Sequence, residues 1–304
     1  MAQSTLKQRF EITPRGPFSL AASALFLGGF APAAHKAAPT ADHLHLAFVA
    51  DGSEQAVGVC LREEDDTVKG EMFGEADKDV VRKQVARILS LDVDGSAFPL
   101  VGEHDPIVGR MQARYPGLRP VCFYSTYEAG AWILIGHRIR ITQAARVKVR
   151  IAEELGNEVD IHGEKQHAFP APTRLLQLES FPGLFGRKIE YLHRLAEATI
   201  EGRLDASRLR SLPQEEAIEA LQQLPGIGIF SAEHILLRGA GDPDYLTLNE
   251  PRLPRAVAMV YNLKAEPSSE ELRAISEGWR PYRTWVTFLL RHMLEDETHE
   301  IAGK

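Results

Sequence analysis

Hydrophobic and polar positions repeat with two different periods along the chain, and the change of period divides it. From His43 to Val49 polar and apolar residues alternate, Asp51-Gly52-Ser53 supplies a turn, and Ala56 to Leu61 resumes a strand-like run, which predicts a β-hairpin. Thr67 to Phe73 reads as a further strand. Over Asp79 to Leu91 the spacing becomes helical, with Val80, Val81, Val85, Ile88 and Leu89 on one stripe behind an aspartate cap. The Gly- and Pro-containing stretch Phe98 to Pro120 predicts a boundary. Beyond it the pattern is almost wholly helical. Tyr127 to Leu155 predicts one long segment carrying Arg138, Arg140, Arg146, Lys148 and Arg150, followed by shorter helices over Thr173 to Leu178, Lys188 to Glu201 and Pro213 to Leu224. The expected fold is α+β: an N-terminal antiparallel sheet-and-helix domain over residues 1–115, then an all-helical part over 116–304. No repeat of fixed period points to a solenoid.

Gly16 to Ala34 is free of charge, follows Lys7, Arg9 and Arg15, and ends in Ala31-Pro32-Ala33-Ala34, the outward form of a secretion signal. Pro17 and Gly28-Gly29 interrupt the run and Glu11 sits in its basic flank, so a strand leading into a short core helix is the better reading. No other stretch approaches the roughly 20 apolar residues of a membrane span, and no membrane role is expected.

At 304 residues, 44% hydrophobic and 25% charged, the chain can bury a substantial core in one to three domains. Two cysteines, Cys60 and Cys122, are too few for a disulfide scaffold, a four-thiolate zinc site or a four-cysteine iron–sulfur cluster. A reducing, cytoplasmic setting and no redox cofactor are therefore expected. The net charge of −7 argues against coating nucleic acid through bulk positive charge, but leaves room for a local contact.

Such a contact has a candidate. Leu224-Pro225-Gly226-Ile227-Gly228 interrupts two helical patterns, Glu215 to Leu221 and Ser231 to Leu237, as the turn of a helix-hairpin-helix spanning 213–238 does. Two glycines let the backbone pass close to another surface, and the N-terminus of the next helix offers free N–H groups to a phosphate oxygen without any lysine or arginine. A plain helix–helix corner explains the five residues equally well.

The surrounding residues favour the hairpin. Leu224-Pro-Gly-Ile-Gly-Ile-Phe-Ser-Ala232, then Leu237-Arg238-Gly239, Asp244, Glu250 and Trp279-Arg280-Pro281-Tyr282-Arg283, resemble in order and spacing the helix-hairpin-helix DNA glycosylases, and among them the 3-methyladenine DNA glycosylase II group. Ile135-Gly136-His137-Arg138-Ile139 and Phe181 to Leu192 extend the likeness, which covers residues 120–295 well. The resemblance implies a two-lobed helical core with the base pocket in its cleft, and a DNA repair enzyme that flips a damaged, alkylated or deaminated purine out of double-stranded DNA and hydrolyses its N-glycosidic bond. It implies a monomer needing no cofactor beyond a monovalent cation on the backbone carbonyls of Gln222, Leu224 and Ile227.

By spacing from the hairpin, the family's catalytic aspartate falls on Glu250. An ionised carboxylate there opposes the oxocarbenium-like charge of the breaking bond. The extra methylene moves it by about 1.5 Å, and a misplacement of that order can cost roughly a hundredfold in rate. Pro251 suits the first position of a helix over Leu253 to Tyr261, so Glu250 would lie at a helix start that favours negative charge, and an acidic cap is its blander reading. The resemblance assigns Phe230, His234 and Arg291 to the base pocket, Arg138 to the wedge that fills the gap left by the flipped base, and Leu224, Pro225, Gly226, Ile227, Gly228 and Ser231 to the DNA contact. Arg291 stands where the family has an aromatic and would repel a cationic alkylated purine. Phe230 stands where some relatives carry a Schiff-base lysine, which implies a monofunctional reaction using water. The alternative is a non-catalytic DNA-damage binder that kept the hairpin and lost the chemistry. A solvated helix face remains an equal reading of the basic residues 138–150.

Overall fold

The computed structural model describes residues 8–30, 32 and 43–299. Its sheet has four antiparallel strands in the order β1-β4-β3-β2: β1 is Gln8–Ile12, β2 Leu44–Val49, β3 Ala56–Glu64 and β4 Thr67–Phe73. The register is tight where Phe10 crosses Gly70, since a Cβ on that glycine would lie 2.3 Å from the Phe10 ring. Helices Leu20–Gly29 and Lys78–Ile88 pack on one face, burying Leu20, Ala24, Leu27, Val81, Val85 and Ile88 against Leu46, Phe48, Val57 and Val59. Ser19 caps the first of these helices and Asp77 the second. The strand and short core helix expected near the N-terminus are thus present, with Ala31, Ala33 and Ala34 outside the described residues. No helix among the described residues is long and apolar enough to cross a membrane.

The other face of the sheet carries an element that periodicity did not foretell. β5, Glu158–Ile161, and β6, Glu164–His167, form a two-stranded hairpin inside the stretch expected to be helical. His162 and Gly163, both at positive φ, make its two-residue turn. Ile161 packs on Cys60 and Phe73, over Gly58, where a Cβ would lie 2.6 Å from its side chain. Four-residue strands are too short to impose a readable period.

The helical part is two-lobed. Helices Thr126–Gly136, Ile141–Leu155, Lys188–Ile200, Gln214–Gln222 and Ile229–Ile235 enclose one core. The second lobe joins distant segments: helices Phe98–His104 and Pro106–Arg114, from the stretch expected to be a boundary, bury Val101, Val108 and Met111 with Leu253, Val257, Leu272, Trp285 and Leu289 of the C-terminal helices Leu253–Val260, Ser269–Glu277 and Arg283–Thr298. Tyr127 to Leu155 is two helices rather than one. They are broken at His137–Arg140, with Arg138 at φ +56°. Lys188 donates to the Ile135 carbonyl at 2.7 Å and so satisfies the end of the first.

Buried arginines tie these units together. Arg87 donates to the Gly239 carbonyl at 2.6 Å, to the Tyr124 carbonyl at 3.0 Å and to Asp51 at 2.6 Å, joining the sheet domain to the end of the hairpin's second helix. Arg87→Leu should lower stability by about 3 kcal/mol in urea denaturation, because it leaves the buried Gly239 carbonyl and the Asp51 carboxylate without their donor and takes one of two donors from the Tyr124 carbonyl.

Candidate nucleic-acid interface and active site

Helices Gln214–Gln222 and Ile229–Ile235 flank the proposed hairpin turn, which is closed by hydrogen bonds from Leu224 N–H to Leu221 and from Ile227 N–H to Leu224, at 3.1 and 3.0 Å. The side chains of Leu224 and Ile227 are buried in the first lobe. Any contact they make with a partner is through the main chain. Gly226 has φ +86°, and a Cβ there would lie 2.6 Å from the Tyr191 ring and 2.9 Å from Leu134, so the fold itself requires glycine. Gly228 is different. Its φ is ordinary, and nothing lies within 4 Å of where its Cβ would be. No internal contact demands a glycine there, whereas close approach of an outside surface does. Around it Pro225, Ile229 and Phe230 are exposed, and no side chain caps the following helix. Ser231 is buried, which leaves only its main chain for that surface.

The second helix runs into a π-helical turn, Leu236–Ala240, ended by Gly241 at φ +79°. The turn carries Arg238 beneath the rings of Phe26, Phe30 and Phe288, whose centroids are 5.5, 5.0 and 5.2 Å from its guanidinium carbon. Arg238 also donates to the Val121 carbonyl at 2.6 Å. Burial pushes its pKa down to about 10, so it stays charged at neutral pH. His234, one turn earlier, sits edge-on to Phe123 at 5.6 Å and 6.2 Å from Phe230. Its Nε2 is enclosed and has no hydrogen-bond partner among the described residues. Burial, and after it the positive charges of Arg238 and Arg291, push the imidazole down to about 3, so it is neutral.

Glu250 follows on a braced loop. Buried Glu233 accepts hydrogen bonds from Tyr245 at 2.9 Å, Thr247 at 2.7 Å and Asn249 at 2.9 Å, which satisfies its carboxylate without a cation. Asp244 pairs with Arg280 at 2.9 Å and Arg283 at 3.0 Å and accepts the Arg283 N–H, fixing the start of helix Arg283–Thr298. Asp242 accepts the Asp244 N–H at 2.9 Å. Both aspartates are thereby committed to holding the loop. Glu250 Oε1 accepts Arg291 Nη1 at 2.6 Å and the Arg252 N–H at 3.1 Å, leaving Oε2 without a partner among the described residues. The helix after it begins at Leu253 with Pro254 in its first turn, two residues later than the placement of Pro251 implied. Since Arg291 belongs to the second lobe and Glu250 to the linker from the first, their ion pair closes the junction between lobes.

One wall is formed by Phe230 and His234, 6.2 Å apart, and by the Glu250–Arg291 pair, whose guanidinium is close enough for its charge to act on His234. Arg138 lies on an exposed turn, four residues beyond the Leu134 that packs under Gly226. Lys148 leaves the expected basic face altogether: it is buried in an ion pair with Glu128 at 2.5 Å and donates to the Pro32 carbonyl. Arg150 is paired with Glu154. The reading of the sequence missed Phe26, Phe30, Phe123 and Phe288 as neighbours of the wall, because all four come from segments far from the hairpin. It also missed Glu233, whose only signal was a charge on the inward side of a short helix. No group of three or more His, Cys, Asp or Glu among the described residues is placed to hold a metal ion.

No family model matches the chain. It is 24% identical over 221 residues to the DNA-3-methyladenine glycosylase of Bacillus subtilis, covering 71% of this chain and 73% of that protein. It is 28% identical over 183 residues to DNA-3-methyladenine glycosylase 2 of Escherichia coli, covering 59% and 61%. Its fold matches the 3-methyladenine DNA-glycosylase from Archaeoglobus fulgidus with a TM-score of 0.71 at 22% identity, over 96% of this chain and 99% of that one. The chain is thus similar in sequence to DNA-3-methyladenine glycosylases and shares the fold of one of them. In the turn the two glycines divide their tasks: Gly226 serves the fold, and Gly228 stands open.

That division is testable. Gly228→Asp should fold normally, since the site is empty, yet lose at least tenfold in affinity for duplex DNA in a fluorescence-anisotropy titration, because side chain and charge both oppose a phosphate. Unchanged affinity would remove the hairpin from the interface.

Proposed function

We propose that this chain is a DNA glycosylase of base-excision repair, which extrudes a damaged purine from the duplex and hydrolyses its N-glycosidic bond without cutting the strand. The observation that carries the reading is Glu250: a carboxylate with one oxygen fixed by Arg291 and the Arg252 N–H and the other without a partner among the described residues. A base turned out of the stack needs an aromatic face and a dry, polar wall, which Phe230 and neutral His234 offer. As the bond between the sugar C1′ and the base nitrogen breaks, its electron pair leaves with the base, and Oε2 of Glu250 opposes the charge left on the sugar. Water then bonds to C1′ and releases its proton through the carboxylate to solvent. The names of the chain's relatives support this reaction class. A monofunctional course is supported by the absence of any lysine between Lys188 and Lys264, a span that holds the whole hairpin and the Glu250 loop. A monovalent cation on the carbonyls of Gln222, Leu224 and Ile227 would strengthen the hairpin's hold on phosphate.

One observation favours the non-catalytic alternative, because the ion pair with Arg291 offsets the charge that Glu250 would bring to the sugar. Glu250→Gln separates the two readings. Base release from lesion-bearing duplex should fall at least a hundredfold while lesion binding stays within a few-fold, since the amide keeps the shape and loses the charge. Tight binding with no release by the unaltered protein would establish the alternative. Borohydride reduction during turnover should trap no covalent protein–DNA adduct.

A further inference from the structure

Arg291 differs from the other enclosed arginines in how little it bonds. Arg87, Arg119, Arg238 and Arg283 each donate from two or more guanidinium nitrogens and in doing so tie segments together. Among the described residues Arg291 donates from Nη1 alone, to Glu250, although its side chain is only 19% exposed. A planar fork with its remaining donors unspent in a largely desolvated place is unusual for a structural arginine. Those donors stand on the wall that holds Glu250, His234 and Phe230.

The charge of that wall is also one-sided. Arg291 disfavours the positive charge of Arg238, and both act on His234; Arg252 acts likewise on Arg291, against Glu250 and Glu295. His234 is neutral and contributes no anion. A damaged base carrying its own positive charge would therefore meet the buried cations Arg238 and Arg291, with Glu250 already engaged by Arg291 and Glu295 one turn further along the helix.

We propose that Arg291 makes this site selective for damaged purines that are electrically neutral, and that it assists their departure. The inference rests on the glycosylase reading. When the glycosidic bond of a neutral purine breaks, the electron pair leaves an anion on the base, which must be balanced until solvent supplies a proton. A fixed guanidinium gives that balance, and its fork matches adjacent oxygen and nitrogen acceptors on a purine edge, such as O6 and N7 of hypoxanthine. A cationic purine such as 7-methylguanine leaves as a neutral molecule, gains nothing from a cation and is repelled by it on entry. Arg291 thus plays two parts in one place. It holds Glu250 by one oxygen, and it reads the charge of the base.

The test compares two duplexes, one with a single hypoxanthine and one with a single 7-methylguanine, under single-turnover conditions, each rate taken relative to spontaneous release. The unaltered protein should enhance hypoxanthine release at least tenfold more than 7-methylguanine release. Arg291→Met, which keeps length and removes charge, should shift that ratio at least thirtyfold toward the cationic base, and Arg291→Lys should keep most of the original preference. A ratio unmoved by Arg291→Met, or an initial preference for 7-methylguanine, overturns the proposal. Affinities for the same lesions on 2′-fluoro sugars, which resist hydrolysis, give a second reading independent of turnover. If nothing is released from either duplex the glycosylase reading fails, yet tighter binding of hypoxanthine that is lost in a folded Arg291→Met protein still upholds charge selection, and equal affinities overturn it.

Discussion

The π-helical turn Leu236–Ala240 is the constraint on which the rest depends. The last carbonyls of a helix have no partner within it, and here the Arg238 carbonyl accepts the Phe123 N–H at 2.6 Å and the Gly239 carbonyl accepts Arg87 at 2.6 Å. Gly239 also allows the backbone of helix Thr126–Gly136 to come close, since a Cβ would lie 2.9 Å from Thr126 Cα. At this one turn the sheet domain, the first lobe and, through Phe288 over Arg238, the second lobe all meet. The hairpin enters this turn at one end and the Glu250 loop leaves it at the other. The hairpin and the Glu250 loop are therefore held in one rigid frame.

Within that frame the carboxylates divide their tasks by their partners. Glu233 is buried and satisfied by three neutral donors, Asp244 is neutralised by two arginines, and Asp242 caps the loop. Glu250 alone has an arginine on one oxygen and an unpartnered second oxygen at the junction between lobes. The longer side chain of glutamate fits this arrangement, because it reaches Arg291 of the second lobe and bends back to the Arg252 N–H at once. In that sense Glu250 and Arg291 are one feature, and the departure from aspartate is matched by a departure from an aromatic at the position that contacts it.

The open Gly228 and the crowded Gly226 show how two glycines two residues apart can answer to different demands. The first is explained by nothing inside the chain, the second by Tyr191 and Leu134. A contact with a polyanion by this route would not need net positive charge, since backbone dipoles of the turn and an exposed arginine such as Arg138 would make it.

Local chemistry made much of this legible from the sequence alone. Strands β2 to β4, the Asp77-led helix, the hairpin and the turn glycines are set by alternation, capping and φ preference, each of which acts over a few residues. The convergence of Phe230, His234, Glu250 and Arg291 was legible only through the resemblance, because no local rule brings residue 291 to residue 250. What only the tertiary structure decided follows from contacts between distant segments. It put helices 98–114 into the C-terminal lobe, buried Lys148 against Glu128, closed the outer sheet face with the 158–167 hairpin, and brought Phe26 and Phe30 over Arg238. Periodicity reports that a side chain will be buried. Which partner buries it, and whether a charge is paired or left free to act, depends on packing across the whole chain.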